Sequence, residues 1–136
     1  MTRLLLATLT FGALLVGCAQ SGSGSGLTGN TWKWTASTTT TPASQSVVPD
    51  PQNYTIEFKA NQTFDAKADC NQVSGTWAST SGDGLTLTLG SSTAVACGPD
   101  SLESAYIEGL GKTSLYVLEE DQLVLHQGAE GTMSFK

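Results

Sequence analysis

Three cysteines, Cys18, Cys70 and Cys97, and one histidine, His126, are the residues of this chain best suited to chemistry. A thiolate attacks electrophiles or binds soft metals, a pair of thiols closes a disulfide, and an imidazole moves a proton near neutral pH. Cys70 and Cys97 enclose 26 residues, which is not the C-x-x-C of a redox pair, and adding His126 gives at most three metal ligands. A structural disulfide, a metal site and a redox couple compete for these two cysteines; in an oxidising compartment the first is expected. His126 sits in the alternating run L-V-L-H-Q, and neither G-x-S-x-G nor a phosphate-binding glycine loop accompanies it. It is predicted to be a solvent-facing strand residue. Glu119, Glu120 and Asp121 fall in a turn and read as a solvated tip rather than paired catalytic carboxylates. Trp32, Trp34 and Trp77 offer an aromatic binding surface, but their places on amphipathic strands predict core packing for at least two. The expectation is a non-enzymatic chain with no catalytic residues, no cofactor and no metal site.

Cys18 has a different context. Residues 1–18 read MTRLLLATLTFGALLVGC, with one positive charge at Arg3 and then 13 uncharged, mostly apolar residues from Leu4 to Val16. At ~1.5 Å per residue such a run reaches about 20 Å, short of the ~30 Å hydrocarbon core but suited to a signal-peptide h-region. Leu15, Val16, Gly17 and Cys18 resemble the bacterial lipobox, which implies cleavage before Cys18 and lipidation of its sulfur. The competing reading is an ordinary secretory cleavage with an incidental thiol. Two or three acyl chains, at about 0.8 kcal/mol per buried CH₂, hold a small domain stably on a bilayer. Ala19 at the second mature position implies the outer membrane in a Gram-negative source, and the outer leaflet of the plasma membrane is expected otherwise. Ser21 to Gly26 read S-G-S-G-S-G, a tether whose reach is about 13 Å. The organisation predicted is therefore a lipoprotein signal peptide over 1–17, a lipidated cysteine and tether over 18–26, and one domain over 27–136.

The full chain has 136 residues and a net charge of −6, with 39% hydrophobic and 13% charged residues. Removing 1–17 leaves five basic against twelve acidic residues, a net charge of −7. That balance excludes a nucleic-acid partner, which would need clustered Lys and Arg, and leaves acyl chains rather than a basic patch to supply membrane attachment.

The elements that must position these residues are mainly strands. Trp32, Trp34 and Ala36 alternate with polar residues, as do Tyr54, Ile56 and Phe58, and Leu85, Leu87 and Leu89. Further strands are predicted around Val73–Ala78, Leu115–Leu118, Leu123–Leu125 and Thr132–Phe135, with turns at Asn61–Gln62, Ser81–Gly84, Glu120–Asp121 and Gly128–Gly131. Between Pro99 and Leu110, Leu102, Ala105, Tyr106 and Leu110 recur at helical spacing. Asp100 and Glu103 there resemble a capping box, and Glu103 and Glu108 are expected to face water. Ser37 to Gln52 is rich in Thr, Ser and Pro without periodicity and is predicted to be a long, solvated loop in which Val47 and Val48 dock at most locally. The fold class expected is mainly β, a β-rich α+β domain: a compact antiparallel sheet or barrel-like unit with one short helix.

Several segments carry a family resemblance: L-T-G-N-T-W (Leu27–Trp32), Y-T-I-E-F (Tyr54–Phe58), A-D-C-N-Q-V-S-G-T-W (Ala68–Trp77), S-T-A-V-A-C (Ser92–Cys97), E-S-A-Y-I-E-G-L (Glu103–Leu110), L-V-L and the terminal G-T-M-S-F-K. Together they resemble the META domain, the HslJ-like family of bacterial lipoproteins, over residues 27–136. The D-C-N followed by a glycine, Asp69, Cys70, Asn71 and Gly75, is the most specific part. The resemblance implies a compact β-rich fold with one helix and an association with envelope stress, antibiotic tolerance or virulence, without a defined reaction. Physically, Asp69 and Asn71 flank Cys70 and are expected on the opposite sheet face, binding turn backbone, with lining of a ligand site as the alternative. Gly75 is expected at a bulge or a close contact. The partners expected are the membrane, through Cys18, and an unidentified envelope protein. The alternative is a small β-barrel that holds an apolar ligand or inhibits a hydrolase, for which a cavity lined by Trp32, Trp34 and Phe58 would be the sign.

Overall fold

Strand β1 (Thr31–Thr40) opens the domain by turning Trp32 and Trp34 inward, 5% and 4% exposed, between outward Thr31 and Lys33. This structure is a computed structural model, and it describes residues 26–136. Cys18, the signal peptide and nearly all of the tether lie outside the described residues. After β1 come β2 (Ala43–Val47), a 3-10 turn at Pro51–Asn53, β3 (Tyr54–Phe58), β4 (Thr63–Ala68), β5 (Asn71–Ser79) and β6 (Leu85–Ser92). Helix α1 (Glu103–Gly111) follows, then β7 (Leu115–Glu119), β8 (Gln122–His126) and β9 (Gly131–Phe135).

The strands form one antiparallel sheet in the order β6-β5-β4-β3-β1-β9-β8-β7, with β2 added beside β1. Strand twist curls a sheet of this length, and here the two edges meet. Gly84 and Leu115 form a bridge, flanked by Leu85 N–H donating to the Ser114 carbonyl at 3.1 Å and Tyr116 N–H to the Asp83 carbonyl at 2.9 Å. The result is a curled, barrel-like sheet. Strand β1 is long enough to serve both halves: Thr31–Lys33 pair with β3, Trp34–Thr39 pair with β9 across an irregularity between Trp34 and Ala36, and Ala36–Thr40 pair with β2. Inside, Ile56, Phe58, Phe64, Leu123, Leu125 and Phe135 are 0–1% exposed, as period-two strands with one buried face require.

Helix α1 lays Tyr106 and Leu110, both 0% exposed, against this core. The Tyr106 ring lies 5.3 Å from Trp34 and 5.6 Å from Tyr54 between centroids, within the range of favourable aromatic contacts. A Cβ at Gly109 would sit 2.5 Å from Met133 Sδ, so the missing side chain lets the helix lie close on β9. The Tyr106 hydroxyl is buried without a hydrogen-bond partner, and burial pushes it well above the usual phenol range, so it remains neutral. An unpaired buried hydroxyl costs about 1–3 kcal/mol of desolvation. Tyr106→Phe is therefore expected to leave urea-unfolding stability unchanged or raise it by about 1 kcal/mol; a loss of that size would contradict this packing.

Four expectations are corrected. The predicted loop over Ser37–Gln52 is largely a hairpin, with Ala36 opposite Val47 through Thr40 opposite Ala43 across a cis Thr41–Pro42 bond. Both faces of this ribbon are polar and mostly exposed, so it carries no period-two hydrophobic signal, while its β-branched threonines favour extended backbone. Val48 is buried and donates its N–H to the Thr35 carbonyl at 2.9 Å, whereas Val47 is 75% exposed. Strand β4 was not among the strands predicted from sequence, although Phe64, Ala66 and Ala68 alternate inward against Asp65 and Lys67. The helix begins at Glu103, two residues later than the Asp100 capping box implied, and has no side-chain N-cap; Glu103 N–H instead donates to Ser101 Oγ at 3.2 Å. Ala105, expected on the apolar face, is exposed.

Candidate functional site

The D-C-N segment forms the β4–β5 turn. Ala68 pairs with Asn71, so Asp69 and Cys70 are the two loop residues, and Asp69 adopts φ +59°, a left-handed conformation that Asp tolerates better than most residues. Its N–H donates to the Asn53 carbonyl at 2.7 Å. The segment is a turn at this point rather than extended, so Asp69 does not share a sheet face with Asn71 as expected; its contribution is conformational. Cys70 is bridged to Cys97, which ties the turn to the segment after β6.

Asn71 turns inward and is fully buried. Its Nδ2 donates to the Val95 carbonyl at 2.8 Å and to Glu103 Oε1 at 2.6 Å, and its Oδ1 accepts from Val95 N–H and Thr93 Oγ1, both at 2.8 Å. One amide thus pairs both backbone groups of Val95, binds the Thr93 hydroxyl and reaches the first residue of α1. Binding to turn backbone was expected of Asn71; the contact with Glu103 was not, and it corrects the expectation that Glu103 faces water. Gly75 lies at a register shift in the β5–β6 pairing, and a Cβ there would come within 2.2 Å of the Thr88 carbonyl and 2.7 Å of the Phe64 ring. Both the bulge and the close contact are present.

The remaining candidates are dispersed. His126 is half-buried on β8, opposite Leu115 and Thr132. Glu119 ends β7 and Glu120 and Asp121 form its exposed turn to β8. Among the described residues no group of three or more His, Cys, Asp or Glu side chains is placed to hold a metal ion. All three tryptophans are buried.

Beside this corner, a groove of about 750 Å³ lies between the β1–β2 ribbon and α1. Trp34, Val48, Leu102 and Met133 supply its apolar surface, and Thr38–Thr41 of the ribbon and Ala105 of the helix form opposing walls. Lys112 stands at the rim, its Nζ 2.8 Å from Glu108 Oε1 and 2.7 Å from Glu130 Oε2. These hydrogen bonds, to Glu108 first and then Glu130, raise the lysine well above its usual value, and Lys112 holds the Glu108 carboxyl below its own. Lys112 and Glu108 stay charged near neutral pH, and all three side chains are exposed.

Residues 25–136 match the model of the META domain. The chain belongs to the META domain family. Among solved structures, a protein from Burkholderia xenovorans determined by NMR has a TM-score of 0.68 and 20% identity, covering 97% of each chain. A DUF4847 family protein from Bacteroides vulgatus has a TM-score of 0.64 and 17% identity, covering 84% of this chain and 96% of that one. At these identities the likeness establishes the fold alone. No curated protein matches the chain.

In this META domain the D-C-N segment is a structural clamp, and the groove lies on the helix that the clamp holds. Leu102, at the start of α1 and in the groove wall, donates its N–H to the Tyr54 hydroxyl at 2.8 Å, a second tie between helix and sheet. Sequence reasoning missed the groove because its walls come from the polar ribbon and an exposed helix face. The available signal was a long run of β-branched threonines, which extended backbone favours as much as a solvated loop does.

Proposed function

We propose that this META domain is a lipid-anchored, HslJ-like protein of the bacterial envelope that acts by non-covalent binding rather than catalysis, in envelope stress or antibiotic tolerance. The groove between the β1–β2 ribbon and α1 carries the reading: it combines an apolar floor with a charged rim, the usual make-up of a binding cleft. Trp32 and Phe58 are packed in the core and neither lines the groove. That arrangement disfavours the alternative in which a ligand occupies a barrel cavity, and leaves hydrolase inhibition as a second role for the same outer surface. Among the described residues no helix is long and apolar enough to cross a membrane. Attachment in this reading comes from acyl chains on Cys18, with the Ser21–Gly26 tether spacing the domain from the bilayer.

Cys18→Ser is expected to leave an uncleaved or soluble precursor without palmitate label, and normal labelling of that variant would refute the anchor. For the binding role, a photo-crosslinking residue at Ala105, in the groove, is expected to capture a specific partner in intact cells, whereas one at exposed Thr86 of β6 is not. Equal capture at both positions would remove the groove as the working surface.

A further inference from the structure

The groove's chemistry selects among ligand classes, given the reading above that it is a binding surface. Its larger apolar side chains include Trp34, Val48, Leu102 and Met133. Its charged lining residues are Asp100, Glu108 and Glu130 against one cation, Lys112, which two of those acids already engage. The rim is therefore net negative on a domain of charge −7. Three of the ribbon hydroxyls that line the groove are engaged within the protein: Thr38 Oγ1 shares a hydrogen bond with Thr132 Oγ1 at 2.7 Å, Thr39 Oγ1 with Ser44 Oγ at 2.8 Å, and Thr40 Oγ1 donates to the Glu130 carbonyl at 2.9 Å. The carboxylates are the groove's charged handles, three against one lysine.

Each alternative occupant meets a physical objection. A second copy brings the same net negative charge to the interface, and an anionic headgroup meets three carboxylates at the rim. A neutral apolar ligand covers the floor but removes water from those carboxylates without replacing it. A ligand with basic groups spaced around apolar ones satisfies both parts of the groove, and the volume of about 750 Å³ falls within the ~300–1,000 Å³ of compact binding sites. We propose that the groove takes a short cationic amphipathic peptide segment, its apolar side chains on Trp34, Val48 and Met133 and its Lys or Arg groups at Asp100, Glu108 and Glu130. Opposite charges across an interface of this kind speed encounter and exclude wrong partners.

The test is calorimetric titration of the full chain, in a nonionic detergent, with three peptides of equal length: Lys alternating with Leu, Ser alternating with Leu, and Glu alternating with Leu. The Lys/Leu peptide is expected to bind at least ten times more tightly than the other two and to weaken as salt rises. Ala105→Trp, which fills the groove, is expected to abolish that binding, and Glu108→Lys with Glu130→Lys to weaken it at least tenfold. Glu119→Lys with Asp121→Lys, at the distant β7–β8 turn, is expected to change it less than threefold. Thermal unfolding checks that each variant is folded. Absence of Lys/Leu binding, or equal losses in the groove and turn variants, would overturn the proposal, the latter by reducing the attraction to net charge. Equal binding of the Ser/Leu peptide that Ala105→Trp abolishes would overturn the cationic class while keeping the groove as a binding surface. If no peptide responds to Ala105→Trp and crosslinking at Ala105 is also silent, both readings fall.

Discussion

Asn71→Asp is expected to destabilise the domain by on the order of 4 kcal/mol at neutral pH, a large share of the about 5–15 kcal/mol typical of a domain. The amide is fully buried and uses both ends: Nδ2 reaches the Val95 carbonyl and Glu103 Oε1, and Oδ1 receives Val95 N–H and Thr93 Oγ1. A carboxylate keeps the acceptor side but removes both donors, and it places negative charge where the Glu103 oxygen lies 2.6 Å from the amide nitrogen. Burial and that neighbour raise the introduced group's pKa in the folded state above its unfolded value. The penalty is therefore full above the raised value and diminishes as the pH falls through it towards the ordinary carboxylate value near ~4, where a neutral carboxyl regains one donor. Asn71→Leu removes donors and acceptor alike without adding charge and is expected to cost about 3 kcal/mol with no such pH dependence. Urea unfolding of both variants between neutral and acidic pH checks this. A cost under about 1 kcal/mol, or identical pH profiles, would remove Asn71 from its place at the centre of the clamp.

Opening the Cys70–Cys97 bridge is expected to cost about 3.5 kcal/mol in the chain-entropy account, because the sequence separation of 27 is long enough for closure to restrict the unfolded chain strongly. The paired substitution Cys70→Ala with Cys97→Ala should shift the urea midpoint accordingly. It should also make the 93–102 segment the first site of proteolysis, since Ser91–Ala96 is exposed and the bridge ties its far end to the β4–β5 turn. The bridge and Asn71 act on the same segment: Asn71 Nδ2 also lies 3.4 Å from Cys97 Sγ. Their losses should not add, and combining Asn71→Leu with the cysteine pair should give a coupling of about 0.5–3 kcal/mol. An unchanged midpoint after removal of both cysteines would show that the hydrogen bonds alone set the segment's position.

Much of the sheet was legible because its strands have one wet and one dry face. Tyr54, Ile56 and Phe58, or Leu123 and Leu125, write that geometry directly into the sequence, and the turns between them carry the expected Gly, Asn and Asp. The β1–β2 ribbon was not legible in the same way. Neither of its faces reaches the core over Thr39–Val47, so polarity could not distinguish paired strands from a solvated loop. The helix was legible as an element but not at its start. Asp100 and Glu103 had the spacing of a capping box, yet Glu103 is engaged by an amide 32 residues away in the chain, a partner that local sequence rules cannot supply.

Composition and order determined by themselves that this is a small acidic chain with a short apolar run near its N-terminus, three cysteines and the alternating strands of a META domain. These properties are local or additive, so reading residues in sequence recovers them. Tertiary structure alone decided that Asp69 supplies a left-handed turn, that Asn71 joins β5 to the 93–97 segment and α1, and that a polar hairpin and a helix enclose a groove with an acidic rim. The last two depend on residues far apart in the chain meeting, and that approach is fixed by packing and hydrogen bonding rather than by spacing.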